Sequence, residues 1–192
     1  MILTHHGINS MVIPGGGGSA IDDIGGRVYN TVVIGGVTWM AENLDYGSSG
    51  VYYNNDESTY GWNGLKYGKL YTWNEAVAAA NAISGWHLPT TAEWDALATA
   101  VGGSSVAGTK LKSTTGWNAG NGDGSYGFEA FPAGYWYSGS FQYLGLTANF
   151  WTTNELSSTY AYYRYFNKNA AINSHNSPKT VAYSVRLVKD SQ

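Results

Sequence analysis

Runs of β-branched and aromatic residues open the patterned part of the chain. Val28-Tyr29-Asn30-Thr31-Val32-Val33-Ile34 and Val37-Thr38-Trp39-Met40 flank Gly35-Gly36. Two strand-like runs around a Gly-Gly pair predict a β-hairpin. The period then changes. Trp73, Val77, Ala80 and Ile83 recur on one face of an alanine-rich run, and Trp94, Leu97 and Val101 recur on one face of the next. Each run is preceded by the same start signal, Thr72 with Glu75 and Thr90 with Glu93. In such a pair the threonine and the glutamate cap each other's free amides, and Gly102-Gly103 supplies a stop for the second helix.

Helix signals vanish from about residue 104 onward. Glycine, Asn and Ser divide the sequence into short aromatic pieces: Gly116-Trp117-Asn118, Tyr126-Gly127-Phe128, Gly134-Tyr135-Trp136-Tyr137 and Phe150-Trp151-Thr152-Thr153. Two late strands are expected, Ala161 to Phe166 and Val181 to Val188. In the second, Val181, Tyr183, Val185 and Leu187 alternate with Ala182, Ser184, Arg186 and Val188. Strands, two helices, a long irregular aromatic region and further strands make an α+β domain.

Gly15-Gly16-Gly17-Gly18-Ser19 has the composition of a flexible linker. It divides the chain into an N-terminal segment with its linker, residues 1–19, and a ligand-binding domain, residues 20–192. Ile2, Leu3, Ile8, Met11, Val12 and Ile13 are too few to form a core. They are expected to pack on the domain or on another copy of the chain, giving a homo-oligomer through residues 1–14. His5-His6 is taken as a solvated or packed pair in preference to a metal site.

Composition narrows the function classes. Charged residues make up 12% of the 192, about half the usual ~25%. With 26 glycines, a net charge of −3 and no basic cluster, the surface lacks the electrostatic footprint for a phosphate backbone, so nucleic acid is not an expected partner. Absence of cysteine excludes disulfides, thiol catalysis and cysteine-ligated metals. The start has neither the basic flank nor the apolar core of a signal peptide, so a virion or cytoplasmic protein is expected before one secreted by the general route. With no apolar run of spanning length, membrane insertion is not expected.

An ordered set of motifs follows the same course. Val37-Thr38-Trp39-Met40-Ala41-Glu42-Asn43-Leu44, Tyr67-Gly68-Lys69-Leu70-Tyr71-Thr72-Trp73 and Gly85-Trp86-His87-Leu88-Pro89-Thr90 are followed by Glu93-Trp94 and Tyr126-Gly127-Phe128. Trp151-Thr152-Thr153-Asn154-Glu155 and Ser184-Val185-Arg186-Leu187-Val188-Lys189-Asp190 complete it. Over roughly residues 27–190 the chain resembles the Fibrobacter succinogenes major paralogous domain. That resemblance implies a C-type-lectin-like fold, in the version shared with the formylglycine-generating enzyme: two helices, small antiparallel sheets and long irregular loops ending in a ligand-binding face. The cysteine chemistry of that enzyme cannot occur here. Some proteins of this kind are variable proteins of diversity-generating retroelements in phages and gut bacteria. Their C-terminal stretch is rewritten at adenines, and Tyr160 to Asn176 looks like such a product, with Lys168 belonging to a fixed framework.

Tyr160, Tyr162, Tyr163, Tyr165, Asn167, Asn169, Asn173, Ser174, His175 and Asn176 are therefore the candidate ligand-binding residues. Tyrosine gives rigid contact area at small entropic cost, and the small polar groups adapt their hydrogen bonds. An ordinary amphipathic sheet edge is the alternative. Trp39, Trp73, Trp86 and Trp94 are assigned to the core. His87 is expected to be a satisfied structural histidine, and Glu42 and Glu155 to tie loops to backbone amides. Asn54-Asn55-Asp56-Glu57 and Asn121-Gly122-Asp123 hold oxygen ligands without the spacing of a calcium loop. No catalytic residue, metal or cofactor is expected. The expected function is a non-catalytic receptor-binding or adhesion protein of a virion or cell surface, with a protein or glycan on a cell surface as partner. Alternatives are a carbohydrate-active enzyme or its accessory module, and a structural virion or surface protein.

Overall fold

In the computed structural model the described residues are 19–61, 64 and 67–191. The apolar segment 1–14, His5-His6 and the glycines of the linker lie outside them. Strands β1 (Ser19–Ile24), β2 (Arg27–Ile34) and β3 (Val37–Met40) form an antiparallel meander. Ile34 pairs with Val37 around Gly35-Gly36, as the hairpin pattern predicts. Both glycines have positive φ, 61° and 82°, the backbone of a tight hairpin turn whose twist matches its strands. A second Gly-Gly turn, at Gly25-Gly26, joins β1 to β2. Two short strands, β4 (Trp86–His87) and β10 (Val188–Lys189), complete this sheet in the order β1-β2-β3-β10-β4.

Both expected helices are present with their capping boxes, α2 (Trp73–Asn81) and α3 (Thr91–Ala100). The Thr90 amide donates to Glu93 Oε2 at 2.7 Å, and the Glu93 amide returns a bond to Thr90 Oγ1 at 3.1 Å. Two further helices correct the expected count, α1 (Glu57–Tyr60) and α4 (Ser104–Leu111). α4 lies where helix signals were expected to be absent, and its SSVAGTKL sequence explains the miss. Gly108 and a weak apolar stripe leave little intrinsic helicity, so tertiary contacts hold it. Gly108 sits against the carbonyls of Ala170 and Ala171, the Thr109 amide donates to Ala170 O at 3.1 Å, and Ala107 and Leu111 are buried.

The second half contributes a hairpin of β5 (Tyr135–Tyr137) and β6 (Ser140–Gln142). It also forms an antiparallel sheet of β7 (Ala148–Glu155), β8 (Tyr160–Phe166) and β9 (Asn173–Pro178), with β8 central. The expected strand Val181 to Val188 is a further correction. Only its end enters a sheet, as β10. The preceding residues run extended through the interior, bridging Tyr71 at Tyr183, Trp136 at Ala182 and Phe150 at Ser184. All eight positions are buried, so the alternation separates two buried environments instead of core from solvent.

Trp39, Trp73, Trp86 and Trp94 are all buried, as assigned. Trp39 and Trp94 meet at 5.0 Å between ring centres and, with Phe128, Phe150 and Phe166, form one aromatic centre between α3 and the sheets. A second centre packs α2 against Tyr71, Trp151, Val185 and Leu187. The architecture is α+β: four helices and several small antiparallel sheets joined by long irregular segments.

Candidate functional site

Register sorts the candidate tyrosines onto two faces. Successive strand residues point to opposite sides, and directly paired residues share a side. Tyr163 pairs with His175 and Tyr165 with Asn173, which places these four on one face of the β8–β9 pair. Tyr162 pairs with Asn176 and Arg164 with Ser174, which places them on the other. That second face meets α3. Arg164 Nη2 donates to Asp95 at 2.7 Å and to Thr91 O at 3.0 Å, and Nη1 donates to Ser174 Oγ.

The first face opens onto a cleft of about 380 Å³. Six tyrosines line it: Tyr135, Tyr137, Tyr143, Tyr163, Tyr165 and Tyr183. Thr147, Asn149, Ser177, Pro178 and Val181 complete the lining, which contains no charged side chain. Tyr183 forms the floor, with its ring 4.6 Å from Tyr163 and 5.8 Å from Tyr135. Tyr135 stacks on Tyr143 at 5.4 Å and 17°, and Tyr163 leans on Tyr165 at 5.8 Å. Burial pushes the Tyr183 phenol far above its ordinary range and raises Tyr135 and Tyr163 as well, so these rings stay neutral. Tyr183 donates to Ser177 Oγ at 3.1 Å and Tyr135 to Gln142 Oε1 at 3.2 Å. Tyr137 and Tyr143 are 42% and 51% exposed.

Tyr143 has a backbone φ of 60°, which bulky L-residues avoid at a cost of about 1–2 kcal/mol. The amides of Leu146 and Thr147 both donate to its carbonyl, at 3.0 and 3.2 Å, and hold the turn. These bonds hold the strained turn while the ring stays half in solvent at the edge of the cleft.

Other candidates fall outside the cleft. Tyr160 is an exposed residue at the start of β8, and Tyr162 is half-buried with its carbonyl bonded to Thr152 Oγ1 at 2.9 Å. Asn167 and Asn169 belong to the β8–β9 connection. Their carbonyls accept from Lys112 Nζ at 2.9 and 3.1 Å, together with Gly120 O, so one buried lysine ties three loop carbonyls. The Asn169 amide also donates to Asn167 Oδ1. His175 is exposed, with its Nδ1 on Asn176 O at 2.9 Å and its ring 6.3 Å from Tyr163.

Tyr135, Tyr137, Tyr143 and Tyr183 line the cleft and are not among the candidates that the sequence singled out. Tyr135 and Tyr137 are two apart in one strand and share a face, a signal available in Tyr-Trp-Tyr. Nothing local indicates that Tyr183 meets them.

A second cavity of about 270 Å³ contains two carboxylates, Glu42 and Glu129. Glu42 Oε2 accepts from the Asn30 amide at 2.8 Å, the backbone tie expected of it. Burial raises the Glu129 carboxyl, while Arg186 and the Thr114 amide pull it back. Glu155 departs from expectation by pairing with Lys179 Nζ at 2.5 Å. His87 lies between Asp190, 2.6 Å from Nδ1, and Glu93, 2.7 Å from Nε2, the satisfied structural role expected. Burial disfavours its charged form, but the hydrogen bonds to Glu93 and Asp190 outweigh that and raise its pKa. The oxygen-rich clusters serve their own loops. Asp56 caps α1 at the Thr59 amide, and Asp123 holds Lys110 and Ser125. Among the described residues no three His, Asp or Glu gather as a metal site, and no helix is long and apolar enough to cross a membrane.

Comparison with curated proteins and with solved structures gives no match. The family model of the Fibrobacter succinogenes major domain matches residues 32–189, which include both helices with capping boxes, the cleft and the buried C-terminal segment. The chain therefore belongs to the Fibrobacter succinogenes major domain family.

Proposed function

We propose that this protein is a non-catalytic ligand-binding module of the receptor-binding or adhesion kind, which engages a protein or glycan on a cell surface through the tyrosine cleft. The observation that carries this reading is the lining itself: six tyrosines and no charged group around an open cavity. Such a surface offers ring faces and hydroxyls, the chemistry of rigid aromatic anchors. It offers no base, nucleophile or acid pair for a reaction. The C-type-lectin-like description, the virion or cell-surface location and diversification by a retroelement belong to the same proposal. In its favour, Tyr163, Tyr165, Asn173 and His175, residue types that adenine rewriting supplies, share the cleft face of β8 and β9.

The test is an array of neutral glycans and peptides probed with the labelled full chain. Substituting Tyr137, Tyr143 and Tyr165 together by alanine should remove every signal, and Tyr162→Ala should remove none. Signals that survive the triple substitution, or that depend on Tyr162, refute the assignment. Flanking DNA decides the retroelement part. A near-copy of codons 150–190 beside a reverse transcriptase supports it, and a long flank with neither removes it.

A carbohydrate-active reading has one observation behind it, the pairing of Glu42 with Glu129 in the second cavity. Glu42 is already committed to the Asn30 amide, and Arg186 stands behind both acids as a counter-charge. Their place is that of a structural ion cluster.

A further inference from the structure

We infer that the tyrosine cleft takes a neutral, proline-rich segment in the polyproline II conformation, an inference that rests on the cleft being the ligand site. Charge is the first argument. A ligand bearing an ion would lose hydration on entering a lining that holds no counter-ion, so charge complementarity selects a neutral partner.

Hydrogen-bond polarity is the second argument. The hydroxyls of Tyr137, Tyr143 and Tyr165 form no hydrogen bond among the described residues and stand ready to donate or accept. Asn149 Nδ2 donates to Gly134 O at 3.2 Å and to Thr147 Oγ1 at 2.9 Å, and Ser177 Oγ accepts from Tyr183. A sugar ring brings several O–H donors, and the lining offers them neutral oxygens only, with no carboxylate. A proline-rich segment brings the complementary set, with carbonyl acceptors along its length and no N–H at its prolines.

Shape is the third argument. Tyr135 with Tyr143 and Tyr163 with Tyr165 form two ridges of aromatic rings, with Tyr183 as the floor between them. Polyproline II segments dock between such ridges, and because the helix is already formed in the free peptide, little conformational entropy is lost on binding.

Titration calorimetry of the full chain tests this, with four probes: acetyl- and amide-capped decaproline, a capped Gly-Ser decapeptide, maltohexaose and cellohexaose. Decaproline should bind saturably and the other three should not. Tyr165→Ala and the rim variant Tyr137→Ala should each weaken binding about tenfold or more, as loss of an aromatic anchor does, while Tyr162→Ala stays within about twofold. If a hexasaccharide binds in place of decaproline and Tyr165→Ala weakens it, the proline-rich inference fails and the cleft reading stands. If decaproline binds and neither Tyr165→Ala nor Tyr137→Ala weakens it, both fail. Failure of decaproline to bind at millimolar concentration overturns the inference.

Discussion

Arg186→Met removes a guanidinium that is wholly buried. Its Nε donates to Asn43 Oδ1 at 2.7 Å, Nη1 to Met40 O at 2.9 Å and Phe128 O at 2.6 Å, and Nη2 to Glu129 O at 2.6 Å. The cation also lies over the Phe128 ring at 4.8 Å. Burial pulls its pKa down to about 9, with Glu42 and Glu129 pulling it back, so it remains charged at neutral pH. Methionine fills much of the stem volume but leaves four oxygens without this donor, three of them buried and Glu129 O partly so, at about 1–3 kcal/mol for each acceptor left unsatisfied. Relief of the guanidinium's own desolvation offsets part of that. Breaking a buried charged network by removing one partner leaves a net loss of roughly 3–5 kcal/mol. At about 2–4 °C per kcal/mol for a domain of this size, the melting temperature should fall on the order of 10 °C. Urea unfolding followed by tryptophan fluorescence measures the free energy, and thermal circular dichroism the midpoint. Arg186→Lys keeps the charge but cannot reach all four acceptors. It should fall between the two, and it provides the measurement if the methionine variant does not fold. A loss below about 1 kcal/mol for Arg186→Met would refute the claim that this network anchors the buried C-terminal segment.

Two further predictions concern stability. Because the folded pKa of His87 is raised, its contribution is fully present below the unfolded value of about 6.5 and is lost as pH rises through the folded pKa. The melting temperature should therefore fall over that interval, and His87→Gln should flatten the profile; equal slopes in the two proteins would remove His87 as the cause. Gly108→Ala would place a Cβ 2.6 Å from Ala171 O and 2.7 Å from Ala170 O, both main-chain atoms that cannot swing aside. Despite alanine's higher helix propensity, this variant should lose about 1–3 kcal/mol in urea unfolding, and a gain in stability would show that α4 does not need this close approach.

Local rules determined the parts of this protein whose stabilising partners are near in sequence. The T-x-x-E pairs at Thr72 and Thr90 placed α2 and α3 because a capping box closes within one helical turn. Gly35-Gly36 placed the β2–β3 turn because its positive φ values need residues without a Cβ. The helical stripes, the strand pattern and the ordered motifs identified the core tryptophans, and the ordered motifs carried the family. Tertiary structure decided the rest. α4 forms because Ala170 and Ala171 receive Gly108, contacts some sixty positions away. The alternation at 181–188 predicted a strand, yet both of its faces are buried, and only packing distinguishes a solvent face from a second interior. The candidate stretch 160–176 was marked by its residue types, and register divides it between two faces. Tyr163 and Tyr165 face the cleft, while Tyr162 and Ser174 share the side that meets α3. The other tyrosines of the cleft arrive from β5, from the strained turn at Tyr143 and from the buried Tyr183. A cleft lined from separated segments has no period along the chain, so the sequence marked its composition and the fold set its location.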